Sequence, residues 1–216
     1  LHAIALFGAV LEKELRGQQQ HANATRLMHA VQALGTSLDT MLDVSRLDAG
    51  VIAAEPRSVP VDAIFQALQP LFERRAEEKG LHLRLRSSPL AVHSDPDLLK
   101  RMLANVVENA IKYTAQGGVL VVARDRGHQV WIECYDTGIG IAPDQLPRIY
   151  GEFYQVDNPG RDRSRGLGIG LAIVRRLAEL LGASIDMTSR VGRGSRFRVV
   201  VPGAPAEDAR ANGSLQ

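Results

Sequence analysis

Apolar residues recur along this chain with two periods, and the switches between them mark its elements. Between 96 and 113, Leu99, Met102, Leu103, Val106, Val107, Ala110 and Ile111 fall three and four apart, which is one buried face of a helix. Asp95 followed by Pro96 is a start signal, since a short carboxylate can accept from first-turn N–H groups and proline lacks one. "GVLVVARD" and "HQVWIECYD" alternate instead, with Gly127 between them, and predict two strands and a turn. The same reading gives a helix over about 61–79, a strand at "LHLRLR" and final strands at "SIDMTS" and "SRFRVVV". It also gives a helix over about 168–181, with a buried stripe of Ile169, Ile173, Leu177 and Leu180 and with Gly182 closing it.

Upstream, residues 1–17 and about 22–49 read as two helices joined by "GQQQHAN". Leu27, Val31, Leu34, Leu38 and Met41 repeat in a 4-3-4-3 spacing, a coiled-coil seam widened by Met28, Leu42 and Leu47. Two helices enclose little core, so the hairpin is expected to pair with a second copy as a four-helix bundle, or else to fold onto its own domain. The chain thus divides into a helical hairpin (1–50), a linker with Pro56 and Pro60 (51–60), a larger domain (61–203) and a flexible tail (204–216). Helices and strands alternate irregularly in the larger domain, so the fold class is α+β, a sandwich of one helical layer on one sheet.

Composition narrows the function classes. With 216 residues, 45% hydrophobic and 23% charged, the chain is an ordinary globular protein. A net charge of +2, and arginine clusters without interleaved aromatic residues, give no nucleic-acid groove. No run approaches the roughly 18 apolar residues of a membrane helix. The single Cys134 excludes an internal disulfide and suits a reducing compartment; its place in an alternating strand makes it a buried thiol.

Candidate chemistry begins on the polar side of the 96–113 helix, where Arg101, Asn105, Glu108, Asn109 and Lys112 share a stripe. A solvated face is the ordinary reading. A covered one would cost roughly 1–3 kcal/mol for each unpaired amide, so partners would be needed. "YDTGIGI" sets Asp136 at a strand end before Gly138, Gly140 and Ile141: glycines that let backbone approach a flat ring, and a carboxylate to accept from an amine. "RGLGIGLAIVRRL" brings Gly166, Gly168 and Gly170 into a helix start, which turns free N–H groups and the positive helix end towards an anion such as phosphate. It lacks the Lys and Ser/Thr of a P-loop, and no strand feeds it as in a dinucleotide fold. "VGRGSRF" adds Gly192, Gly194 and Ser195 in a turn that a plain hairpin would also explain.

Together and in this order, "NVVENAIKYT", "DTGIGI", "EFYQVDN", "GLGIGLAIV" and "GRGSRF" resemble the N, first glycine, F, second glycine and final glycine boxes of the sensor histidine kinases of two-component signalling. "LLDVSRLDAG" is similar to the end of that family's dimerisation helix. The resemblance implies the Bergerat ATP-binding fold, a mixed sheet under a helical layer, with ATP and Mg2+ as ligands. It implies Asn109 as the Mg2+ ligand, Lys112 opposite phosphate, Tyr113 beside the nucleotide and Asp136 on the adenine amino group. Asn105, Asn109 and Lys112 would be the catalytic set. Gly138, Gly140, Ile141, Phe153, Leu167, Leu171 and Ser195 would line the nucleotide. Residues 151–166 would form a lid whose Arg161, Arg163 or Arg165 reaches the phosphates, and Gly166, Gly168 and Gly170 would pass close to them.

Related hydrolysing ATPases of that fold carry a glutamate where this chain has Asn105, and an amide is no base, so ATP should be held without being spent on water. Glu108 is the neighbouring alternative base. The family's acceptor box reads approximately H-[DE]-L-R-x-P-L, and only "LHAI" resembles its tail. The acceptor histidine is therefore expected upstream of Leu1, and this chain by itself is expected not to autophosphorylate. The implied partners are a second copy through the hairpin and a response-regulator receiver domain, separate or fused. The implied location is cytoplasmic, with an inner-membrane anchor in the longer protein as one arrangement. The competing readings are a hydrolysing ATPase of the same fold and a non-catalytic, nucleotide-gated dimerisation module.

Overall fold

The computed structural model describes residues 50–156 and 168–204, together with positions 28, 31, 35, 42 and 45. Most of the hairpin seam, and Arg161, Arg163, Arg165, Gly166 and Leu167, lie outside the described residues. The chain divides into two compact units, and the second, Ile52–Pro159 with Gly168–Gln216, carries the sheets.

Its elements run β1 (Arg57–Pro60), α1 (Val61–Glu78), β2 (His82–Leu85), β3 (Ala91–Ser94), α2 (Pro96–Tyr113), β4 (Gly118–Asp125) and β5 (Gln129–Asp136). After a 3-10 turn at Leu146–Arg148 come α3 (Gly170–Leu180), β6 (Ser184–Arg190) and β7 (Gly194–Pro202). Five strands form one sheet in the order β2-β4-β5-β7-β6. β2 runs parallel to β4 and every other pairing is antiparallel, so the sheet is mixed. β1 and β3 form a separate antiparallel pair, tied to the end of β7 by a Val92–Gly203 bridge.

The periodicities map directly onto this architecture. All seven apolar residues of the 96–113 stripe are buried, and Asp95 caps α2 by accepting from Asp97 N–H and Leu98 N–H. Val119, Val121, Val130, Ile132, Cys134, Phe197, Val199 and Val201 are buried on alternate positions of the central strands, where the helices cover the sheet. Burial pushes the Cys134 thiol far above its ordinary pKa, which leaves it an inert apolar filler. The opposite face closes with its own side chains. Glu133 is almost fully buried there, paired with Arg124 (2.8 Å) and Arg198 (3.0 Å), while the Arg198 guanidinium lies 3.8 Å from the Trp131 ring centre.

Three expectations are corrected. The segment read as a linker contributes β1, whose four residues find their pairing only through β3, itself unsignalled by any alternation. Helix α3 starts at Gly170 rather than 168, with Ile169 as its N-cap residue. Leu180 is half-buried, and Ala172, Val174 and Ala178 are buried beside Ile173 and Leu177.

Candidate functional site

The polar stripe of α2 is shared between two neighbours. Glu108 faces α1, where Arg75 Nη1 donates to it at 2.9 Å. Asn105 and Asn109 face the start of α3: a Cβ on Gly170 would stand 3.4 Å from Asn105 Oδ1 and 3.5 Å from Asn109 Nδ2. Asn105 Nδ2 donates to Arg101 O at 2.9 Å, so that amide is anchored to its own helix. Asn109 is half-buried and has no hydrogen-bond partner among the described residues. Ile169, the N-cap residue of α3, makes no side-chain cap hydrogen bond. Two amides and the positive end of a helix thus converge on one glycine, an arrangement suited to oxyanions.

The Asp136 loop forms the other wall. Asp136 Oδ1 accepts from Gly138 N–H (2.8 Å) and Ser195 N–H (3.2 Å). Burial pushes the carboxyl above its usual range, and these two N–H groups with the Ser195 hydroxyl partly offset that. Both backbone donors reach the same oxygen, Oδ1. Tyr113 O accepts from Ile139 N–H (3.2 Å), which ties the loop to the end of α2. Ser189 Oγ accepts from Ile141 N–H (2.8 Å) and lies 2.9 Å from Ser195 Oγ, which ties the loop to β6 and β7.

Two glycines lie where backbones meet closely. At Gly140 (φ 69°) a Cβ would meet Arg190 O at 2.1 Å, and at Gly194 (φ 89°) it would meet Asp136 O at 1.9 Å. Both positions allow close backbone packing between the Asp136 loop and the β6–β7 turn. Gly170 differs, since its missing side chain opens towards the two asparagines.

Of the remaining expected residues, Lys112 lies over the Tyr113 ring (4.8 Å), and Leu171 is half-buried in the first turn of α3. Gly168 precedes that helix beside Tyr154 O, and Phe153 is exposed with a φ of 59°. Ser189 carried no sequence signal, because its role depends on strand register alone. No group of three or more His, Cys, Asp or Glu that could hold a metal occurs among the described residues.

Residues 94–205 match the family of histidine kinase-, DNA gyrase B-, and HSP90-like ATPases, and the chain belongs to that family. It is 34% identical over 203 residues to the aerobic respiration control sensor protein ArcB of Escherichia coli (strain K12), an alignment covering 92% of this chain and 26% of that one. A sensor-like histidine kinase of Rhizobium meliloti (strain 1021) is 32% identical over 209 residues, covering 94% and 40%. Among solved structures, that of full-length ShkA in complex with AMPPNP superposes with a TM-score of 0.76 at 29% identity, covering 95% of this chain and 46% of that one. Within the ATPase family, this is the ATP-binding catalytic domain of a two-component sensor histidine kinase. The chain spans about a quarter of the length of ArcB.

Proposed function

We propose that this chain binds Mg-ATP between the end of α2, the start of α3 and the Asp136 loop. In the longer protein it would transfer the γ-phosphate to a histidine upstream of Leu1, and from there to an aspartate of a response regulator. The observation that carries this reading is the placement of the Asn105 and Asn109 amides against Gly170 at the start of α3. The AMPPNP bound in the ShkA complex supports a nucleotide as the ligand.

Each residue has one task. Asp136 accepts from the adenine amino group, Tyr113 borders the base, and the first N–H groups of α3 and Lys112 offset phosphate charge. Asn109 supplies the oxygen that would hold Mg2+, whose charge neutralises the phosphates when it is bound. Asn105 cannot abstract a proton, and Glu108 is engaged by Arg75, so no base on α2 is aimed at a water. Transfer then rests on positioning: an imidazole nitrogen forms the new P–N bond as the bond from the γ-phosphorus to the bridging oxygen breaks and ADP leaves.

Residues 1–50 would pair two copies, and the reaction belongs to the cytoplasm, where ATP is available. The roles of Arg165, Gly166, Leu167, Phe153 and Leu171 towards the nucleotide stand as part of the proposal. Calorimetric titration of the chain with Mg-ATP, ATP without Mg2+ and Mg-GTP tests it. Saturable binding that prefers Mg-ATP is expected, and no binding, or equal binding of ATP and GTP, would refute it.

A further inference from the structure

A helix leaves its last four carbonyls without intrahelical donors, and a helix that ends inside a site must satisfy them from elsewhere. α2 has no glycine cap; its C-cap Thr114 is extended, with φ −101° and ψ 122°. Its terminal carbonyls are nonetheless taken one by one. The Thr114 hydroxyl donates to Ala110 O (2.6 Å), and Ile139 N–H donates to Tyr113 O (3.2 Å). The other two and the C-cap carbonyl share one donor group: Lys79 Nζ reaches Ile111 O at 2.7 Å, Lys112 O at 3.0 Å and Thr114 O at 3.1 Å.

An ammonium has three donors and here meets three acceptors, at the helix end where positive charge is favourable. Lys79 is the C-cap residue of α1, and Gly80 (φ 67°) reverses the chain directly after it. The end of α1 is thereby fastened to the end of α2.

We infer that Lys79 is a positioning residue for the nucleotide site, an inference that rests on the Mg-ATP reading above. Its ammonium fixes the turn that presents Lys112 and Tyr113. Through Tyr113 O and Ile139 N–H it also fixes the loop that carries Asp136. Without it, three carbonyls lose their donor, the turn loosens, and the adenine contact loses its reference to α2.

The test titrates the parent chain, Lys79→Met and Lys79→Arg with Mg-ATP and with Mg-GTP, at a temperature where circular dichroism shows each to be folded. Methionine keeps the stem and removes the ammonium, so Mg-ATP affinity should fall about fivefold or more and the preference over Mg-GTP should narrow. Arginine, which can donate to several carbonyls, should recover most of the loss. Lys79→Ala should regain affinity on addition of methylammonium chloride and not of sodium chloride at equal ionic strength. A Lys79→Met chain that binds as tightly and selectively as the parent would overturn the inference. So would a loss that neither arginine nor methylammonium reduces. Failure of the parent chain to bind Mg-ATP would instead overturn the nucleotide reading itself, and the parent titration separates the two cases.

Discussion

Asn109 and Asp136 take part in the fold to different degrees, Asn109 with no hydrogen-bond partner among the described residues and Asp136 accepting from two backbone N–H groups. Asn109 has no hydrogen bond to lose among the described residues, so Asn109→Ala should leave the melting temperature close to that of the parent. Mg-ATP affinity should fall at least about tenfold, equivalent to about 1.4 kcal/mol. Calorimetry with and without Mg2+ checks this, and unchanged affinity with unchanged Mg2+ dependence would remove the assignment. Asp136 carries the opposite signature. Burial raises its folded pKa, so the folded state holds the proton more firmly than the unfolded one. The stability this gives is complete below the ordinary aspartate range and is lost as pH rises through the raised value. Wherever the carboxyl is ionised, the ligand-free protein bears a half-buried charge that Asp136→Asn removes, while the amide oxygen can still accept from Gly138 and Ser195. The variant should melt no lower than the parent at neutral pH, with any advantage shrinking towards acid pH, yet bind Mg-ATP more weakly. Melting curves over a pH series, beside calorimetry, test both halves.

Among the elements, α3 and the central strands separate function from stability most clearly. Alanine at Gly170 would make ordinary contacts with both asparagines, and alanine favours a helix. Gly170→Ala should leave the fold as stable or more so, and yet weaken nucleotide binding by filling the space between the two amides. Loss of stability without loss of binding would contradict that role. Glu133 on the far face of the sheet does the reverse. Burial alone would raise its carboxyl, but donors from Arg198, Tyr135 and Arg124 together hold it below the usual range. Its contribution is therefore present above the ordinary glutamate pKa and lost as pH falls through the depressed value. Glu133→Ala leaves Arg124 and Arg198 without their shared partner and should cost about 3 kcal/mol of stability at neutral pH, by analogy with broken buried pairs. Nucleotide affinity in the folded fraction should not change, and urea denaturation beside calorimetry measures both.

For the whole molecule, the expectation concerns what the chain does alone. None of His2, His21, His29, His82, His93 and His128 is followed by an acidic residue, leucine and arginine, the context of the acceptor box. The chain should therefore bind Mg-ATP and acquire no label when incubated with γ-labelled ATP. A longer chain that retains the acceptor but has a disabled nucleotide site should become labelled in its presence through mixed dimers. Acid-labile, base-stable label on this chain by itself, mapped to any of its histidines, would refute the expectation.

Local chemistry made much of this legible from residue order. The period of three and four found every buried residue of α2, Asp95 and Pro96 marked its start, and alternation found β4 and β5, because those signals act within a few residues of one another. The boxes carried the family likeness for the same reason. What residue order could not give were contacts between positions distant in the chain. Asn105 and Asn109 acquire their meaning from Gly170, more than sixty residues away, and Glu108 is turned aside by Arg75 from another helix. Gly140 and Gly194 stand where two backbones touch, a contact between segments about fifty residues apart that residue order does not announce. β1 and β3 are too short to announce themselves and exist because each supplies the other's hydrogen bonds. Pattern along the chain determined which faces are apolar and where helices and strands begin; only the packing of those faces decided which polar groups stand together, since that depends on register and on helix positions that no local period encodes.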